Sequence, residues 1–211
     1  MSGVYFTADL HLGHRAIVDH CHRPFHSVEI MDSVLIANIN LTVAKADRLY
    51  ILGDFSLGNF ATVAAQRQLI ACRSIYLIRG NHDRLSAKQY EEAGFIFKGD
   101  ICDLKVDDQH VTLCHYAMRR WNGSHHGAWH LFGHSHGHLP DDPSLFAFDV
   151  GVDCHRFFPL SFDEVQALML SRTEAKSEAN HAALSASPNE GGSSEPTAEN
   201  PATEEKEERN D

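Results

Sequence analysis

Five apolar runs in this chain end on the same kinds of residue. The run from Val4 leads into Asp9 and, two places on, His11. "RLYIL" (48–52) leads into Gly53 and Asp54, and "SIYLI" (74–78) into "RGNHD", which carries Asn81, His82 and Asp83. "HVTLC" is followed by His115, and "WHLF" by "GHSH", with His134 and His136. Short apolar runs closed by Gly, Asp or Asn read as buried strands. In open α/β sheets ligands bind beyond the carboxyl ends of the strands. The pattern therefore asks for a sheet protein whose strand ends pool carboxylates, an amide and imidazoles.

The segments between the runs set the fold class. Ser27 precedes a helical pattern with Ile30, Val34 and Leu41 as the expected inner face, and further helices are expected over 60–71 and 86–93. Beyond residue 94 the apolar runs lean towards strand: 95–98, 101–106, 110–114, 129–133 and 146–152. Ser161 and Glu164 have capping-box spacing and announce a last helix. Helices alternating with strands, then strands in series, predict an α/β layered domain of mixed sheets. Within "HLFGHSHGHL" the alternation of His134, His136 and His138 suits an extended strand, which would turn all three rings to one face.

Composition narrows the function. With 43% hydrophobic and 22% charged residues the chain is of ordinary globular make-up. A net charge of -11 disfavours extended nucleic acid as a partner, because phosphate neutralisation needs clustered Lys and Arg. The segment after residue 170 is rich in Ser, Pro, Glu and Ala and poor in large aliphatic residues, so 1–171 is expected as the domain and 172–211 as a disordered acidic tail. Five cysteines without a C-x-x-C pair, no signal-like start and no long apolar run point to the cytoplasm and away from a membrane. Nothing in the residues names a protein partner.

Asp9, His11, Asp54, Asn81, His115, His134 and His136 form a donor set of oxygen and nitrogen without thiolate, which favours borderline or hard divalent ions. Two such ions fit the inventory, and Asp54, alone between paired motifs, is the natural bridge. The ordered set "DLH … GD … GNHD … H … GHSH" resembles the calcineurin-like metallophosphoesterase superfamily, in the flavour of its small single-domain bacterial and phage-type members. The resemblance spans roughly residues 3 to 170. It implies a four-layer α/β/β/α sandwich. It also implies two metal ions, manganese first, with iron, zinc or nickel as alternatives. By position it assigns Asp9, His11 and His136 to one ion and Asn81, His115 and His134 to the other, with Asp54 shared.

The implied activity is hydrolysis of a phosphate ester by a metal-bridging hydroxide attacking phosphorus. The substrate expected is a small phosphorylated metabolite, a nucleotide or a short nucleic-acid end. A phosphodiesterase is the alternative to a phosphomonoesterase, and a non-catalytic scaffold the more distant one. His82, helped by Asp83 if their side chains meet, is expected to serve the leaving oxygen. His14, Arg23, Arg119 and Trp121 are candidates for substrate binding, with helix capping an equal alternative for His14. His20 is expected to be an ordinary surface histidine, and Asp153 to hold a turn or orient a ligand histidine.

Overall fold

The computed structural model describes residues 2–185, with side chains as far as residue 173. Its first sheet has the order β4-β3-β2-β1-β9: β1 (Val4–Thr7), β2 (Arg48–Leu52), β3 (Ser74–Ile78) and β4 (Ile96–Phe97) run parallel, and β9 (Leu160–Ser161) is antiparallel to β1. The second sheet has the order β5-β6-β7-β8. Its strands β5 (Ile101–Val106) and β6 (Gln109–Cys114) form a hairpin, and β7 (Trp129–Phe132) and β8 (Ala147–Asp149) continue parallel to β6. Both sheets are mixed, and they pack face to face.

Central strands of the first sheet are covered on both faces, which is why they read as continuous apolar runs. Leu49, Ile51, Ile75 and Leu77 point to one side, against α2 (Val28–Thr42), α3 (Phe60–Gln68) and α4 (Ala87–Glu92). Tyr50, Leu52 and Ile78 point to the other and meet Val111, Leu113, Trp129, Leu131 and Phe148 of the second sheet. The outer face of the second sheet is covered by Met118, Trp121 and Ala128, which pack on Phe132 and Ala147. A helix after β9, α5 (Phe162–Ser185), inserts Phe162, Val165 and Met169 into the core between the sheets.

Local signals explain the helix starts. Ser27 accepts from the Ile30 amide, Asn59 from Thr62 and Ser86 from Gln89. The Ser161–Glu164 capping box is closed by reciprocal bonds of 3.2 and 2.7 Å. The inner face of α2 is not the expected one. Met31, Leu35 and Ile39 are buried, while Ile30 and Leu41 are exposed. Both stripes have helical spacing, and the tilt of α2 against the sheet selects between them. A short helix, α1 (Arg15–His20), follows His14, as the capping alternative for that residue required. Last, α5 runs beyond the expected domain end at 171, covering 172–185 of the segment expected to be unstructured. Arg172 anchors it to the domain through the carbonyls of Asp142, Leu145 and Ala147 and the Asp141 carboxylate. Residues 186–211 lie outside the described residues.

Candidate metal centre

The carboxyl ends of β1, β2, β3, β6 and β7 meet at one edge of the two sheets. The loops after β1 and β2 stay in register there: the amides of Asp9, His11 and Leu12 donate to the carbonyls of Gly53, Asp54 and Phe55. Donor atoms of Asp9, His11 and His136 lie within 4.8 Å of one another and can hold a metal ion, and so do those of Asp54, His115 and His134. A third group, His11, Asp54 and His82, joins the two. Asn81 stands beside the second group, its Oδ1 2.9 Å from His115 Nε2. All seven residues expected as ligands therefore converge, with His82 next to them.

The backbone achieves this in an unusual way. Asp9, His11, Asp54, His134 and His136 have φ of 60°, 53°, 56°, 67° and 47°, in the left-handed region that non-glycine residues visit at a cost of about 1–2 kcal/mol each. Clustered strain of this kind marks functional sites. It also corrects the reading of "GHSH" as extended chain. The strand β7 ends at Phe132, and left-handed residues on either side of Ser135 send the two rings apart. His136 lies 5.1 Å from the His11 ring and His134 lies 5.0 Å from the His115 ring, centroid to centroid. His138 is exposed. Two glycines let the loops close. A β-carbon on Gly53, at φ 91°, would sit 2.5 Å from His115 Nδ1 and 2.7 Å from Gly80 Cα, and one on Gly80 would collide with Asp54.

Electrostatics test whether cations suit these residues. His115 Nδ1 donates to the Leu52 carbonyl at 2.8 Å. The lone pair of Nε2 in the neutral ring then faces Asn81 Oδ1 at 2.9 Å and Asp54 Oδ2 at 3.5 Å. Three electron-rich atoms converging on one point are unfavourable unless a proton or a metal ion sits between them. Asp9 Oδ1, His11 Nε2 and His82 Nδ1 are buried without any hydrogen-bond partner. Burial lifts the Asp9 carboxyl to about 7 against the pull of His136 and His115, and burial drops the His11 imidazole to about 3. For Asp54 burial acts upward too, but His115 and the His82 amide outweigh it and hold the carboxyl at about 2. Imidazoles gathered around an ionised carboxylate, with buried acceptors left without partners, suit divalent ions.

Several expected roles need correction. Asp83 does not meet the His82 ring. It is buried and accepts from the amides of Gly80, Asp54 and Phe55 and from Tyr90 Oη, so it fastens the β2 and β3 loops together. Arg23 is buried, with its five donors committed to Asp153, to the carbonyls of Asp9 and Leu10 and to Met31 Sδ, which leaves none for substrate. Trp121 is buried in the cover of the second sheet, its Nε1 donating to Ala128, because a large indole with one donor is satisfied there. Arg119 is exposed but borders a different cavity, with Phe132 and Leu145. His14 occupies the N-cap of α1 without capping it. Its Nδ1 lies 3.2 Å from His11 Nδ1 instead, and its ring faces His82.

The open space above the cluster is a cleft of about 440 Å³ lined by His11, His14, His20, Asp54, Asn81 and His82 among others. His20 thus belongs to the cleft wall, which α1 alone could have revealed. Asp149 was not singled out by sequence. Its carboxyl is pushed up by burial, and Oδ2 has no partner. The only hint was its place after an apolar run, in "FDVGVD".

The uncharacterized protein MJ1445 of Methanocaldococcus jannaschii is 30% identical over 179 residues, covering 80% of this chain and 92% of that one. The chain belongs to the MJ1445 family. In fold it is similar to the protein of unknown function AQ665 from Aquifex aeolicus, whose crystal structure matches 80% of this chain and 100% of its own at 18% identity and a TM-score of 0.62. A more distant likeness is Pseudomonas putida nuclease MPE, at 20% identity, a TM-score of 0.42 and coverage of 63% and 61%. No family profile matches the chain. Among the described residues no helix is long and apolar enough to cross a membrane.

Proposed function

We propose that the protein is a metal-dependent hydrolase of phosphate esters that binds two divalent ions, manganese foremost, between Asp9, His11 and His136 on one side and Asn81, His115 and His134 on the other, with Asp54 shared. The observation that carries this reading is the meeting of the metal-capable groups in one cleft where buried donor atoms are left without partners. When bound, such ions polarise a phosphoryl oxygen and bring the pKa of water towards neutrality.

The chain's own groups supply the remainder. The His82 amide donates to Asp54 Oδ1 at 2.8 Å, which fixes that segment. The ring leans on His11 and His14, at 5.1 and 5.4 Å between centroids. His82 Nδ1 is buried and unspent. A proton on this ring can pass to the oxygen that leaves phosphorus. His14, on the wall of the cleft beside His82, is placed to steady the substrate.

A second observation favours the diester within this class. Among the described residues lining the cleft there is no lysine or arginine. Beyond the two ions, a monoester dianion or a polyphosphate would find no lysine or arginine on this wall to meet its extra charge, whereas a diester carries a single charge.

Nitrophenyl phosphate and bis-nitrophenyl phosphate, each with added Mn²⁺, Fe²⁺, Zn²⁺ or Ni²⁺, test the proposal. Turnover that requires the metal and is abolished by chelation is expected, with the bis ester preferred. Metal bound tightly with no turnover of either ester would instead favour the non-catalytic scaffold.

A further inference from the structure

Arg23 and Asp153 stand outside both donor sets, yet they touch one of them at Asp9 and at His136, and also hold Leu10 between Asp9 and His11. Arg23 Nε and Nη2 reach the two Asp153 oxygens, each at 2.8 Å. Nη2 also donates to the Asp9 carbonyl at 2.7 Å, and Nη1 to the Leu10 carbonyl at 3.1 Å. Asp153 Oδ2 in turn accepts from His136 Nδ1 at 2.7 Å. Arg23 is buried and Asp153 half-buried, and the pair joins two segments 130 residues apart.

We infer that Arg23 and Asp153 are positioning residues that hold Asp9, His11 and His136 in shape for a single metal ion and leave the other donor set untouched. This rests on reading those three residues as one metal set. A proton held on His136 Nδ1 by Asp153 leaves Nε2 as the free lone pair, which settles which nitrogen can ligate. The guanidinium fork fixes the carbonyls of Asp9 and Leu10, and so the left-handed turn that carries Asp9 and His11. Asp153 also cancels a cation that would otherwise repel a metal ion nearby. Lysine, with its single head, cannot make these contacts together. His115 is oriented separately, by the Leu52 carbonyl.

Cd²⁺ binding followed by calorimetry and by ¹¹³Cd NMR on the full chain tests this. Wild type is expected to show two cadmium signals. In Asp153→Ala one signal should be lost or shifted and one affinity should fall about 10–100-fold, the usual effect of removing a group that orients a metal ligand, while the second signal and affinity stay put. Unchanged binding of both ions, or equal loss of both in a protein with native circular dichroism, would overturn the inference. Long-range ¹H–¹⁵N spectra of metal-free wild type give a check that needs no variant. At a pH where the ring is neutral they should find its one proton on His136 Nδ1, and a neutral ring protonated on Nε2 instead would overturn it. Wild type that takes up no Cd²⁺ at all would remove the metal reading itself.

Discussion

Asp9 is wholly enclosed, and the carboxyl that burial has raised to about 7 makes it expensive to ionise without a cation. Its folded pKa lies above the unfolded value of 3.8, so its contribution to stability is present below about pH 4 and is lost as the pH rises through 7. Asp9→Asn keeps an acceptor for the His134 amide, now 2.8 Å from Oδ2, and asparagine tolerates a left-handed backbone. In the presence of chelator the variant should therefore match wild type near pH 4 and exceed it at pH 8, by roughly 2–4 kcal/mol in urea unfolding, while binding metal poorly. His82→Ala should act in the opposite compartment. The expected result is a kcat about 10²–10⁴-fold lower with metal content unchanged by elemental analysis. Metal lost in step with activity would make His82 a ligand.

Loops and helix ends differ in what they protect. Gly53 sits where β2 turns into the centre, and Gly53→Ala would place a methyl group against His115 and Gly80 at a positive φ. The substitution should lower the thermal midpoint and abolish metal binding together, because the clash lies between two of the loops that carry donors. Ser161→Ala removes the cap of α5, some distance along the chain from any donor, and should cost about 1 kcal/mol with metal binding intact. Calorimetry on both variants separates a defect of the centre from a general loss of stability. Asp83 belongs with Gly53: its carboxylate is spent on the amides of Asp54, Phe55 and Gly80 and ties the β2 and β3 loops together.

Metal binding should couple to the protonation and stability of the whole domain. Asp9 is raised to about 7, and His115 and His136 are also raised, so at pH 6 the metal-free protein holds protons that a cation must displace. Titration calorimetry in buffers of different ionisation heat should find at least one proton released at pH 6, and fewer as the pH rises past 7. An ion present at a hundred times its Kd should add about 2.7 kcal/mol to stability, and chelator should reverse the gain. Sequence alone determined which residues could take part, because strand-length apolar runs and the polar residues that end them are local patterns, set by burial on both faces of a sheet. It also placed the starts of α2 and α5 at Ser27 and Ser161, since capping bonds span only three residues. Only the tertiary structure decided the rest. The separation of His134 from His136 depends on left-handed turns rather than a pleat, and the inner stripe of α2 on its tilt. Arg23, Trp121 and Asp83 serve the framework because partners distant in sequence use up their polar atoms, and no local pattern encodes that.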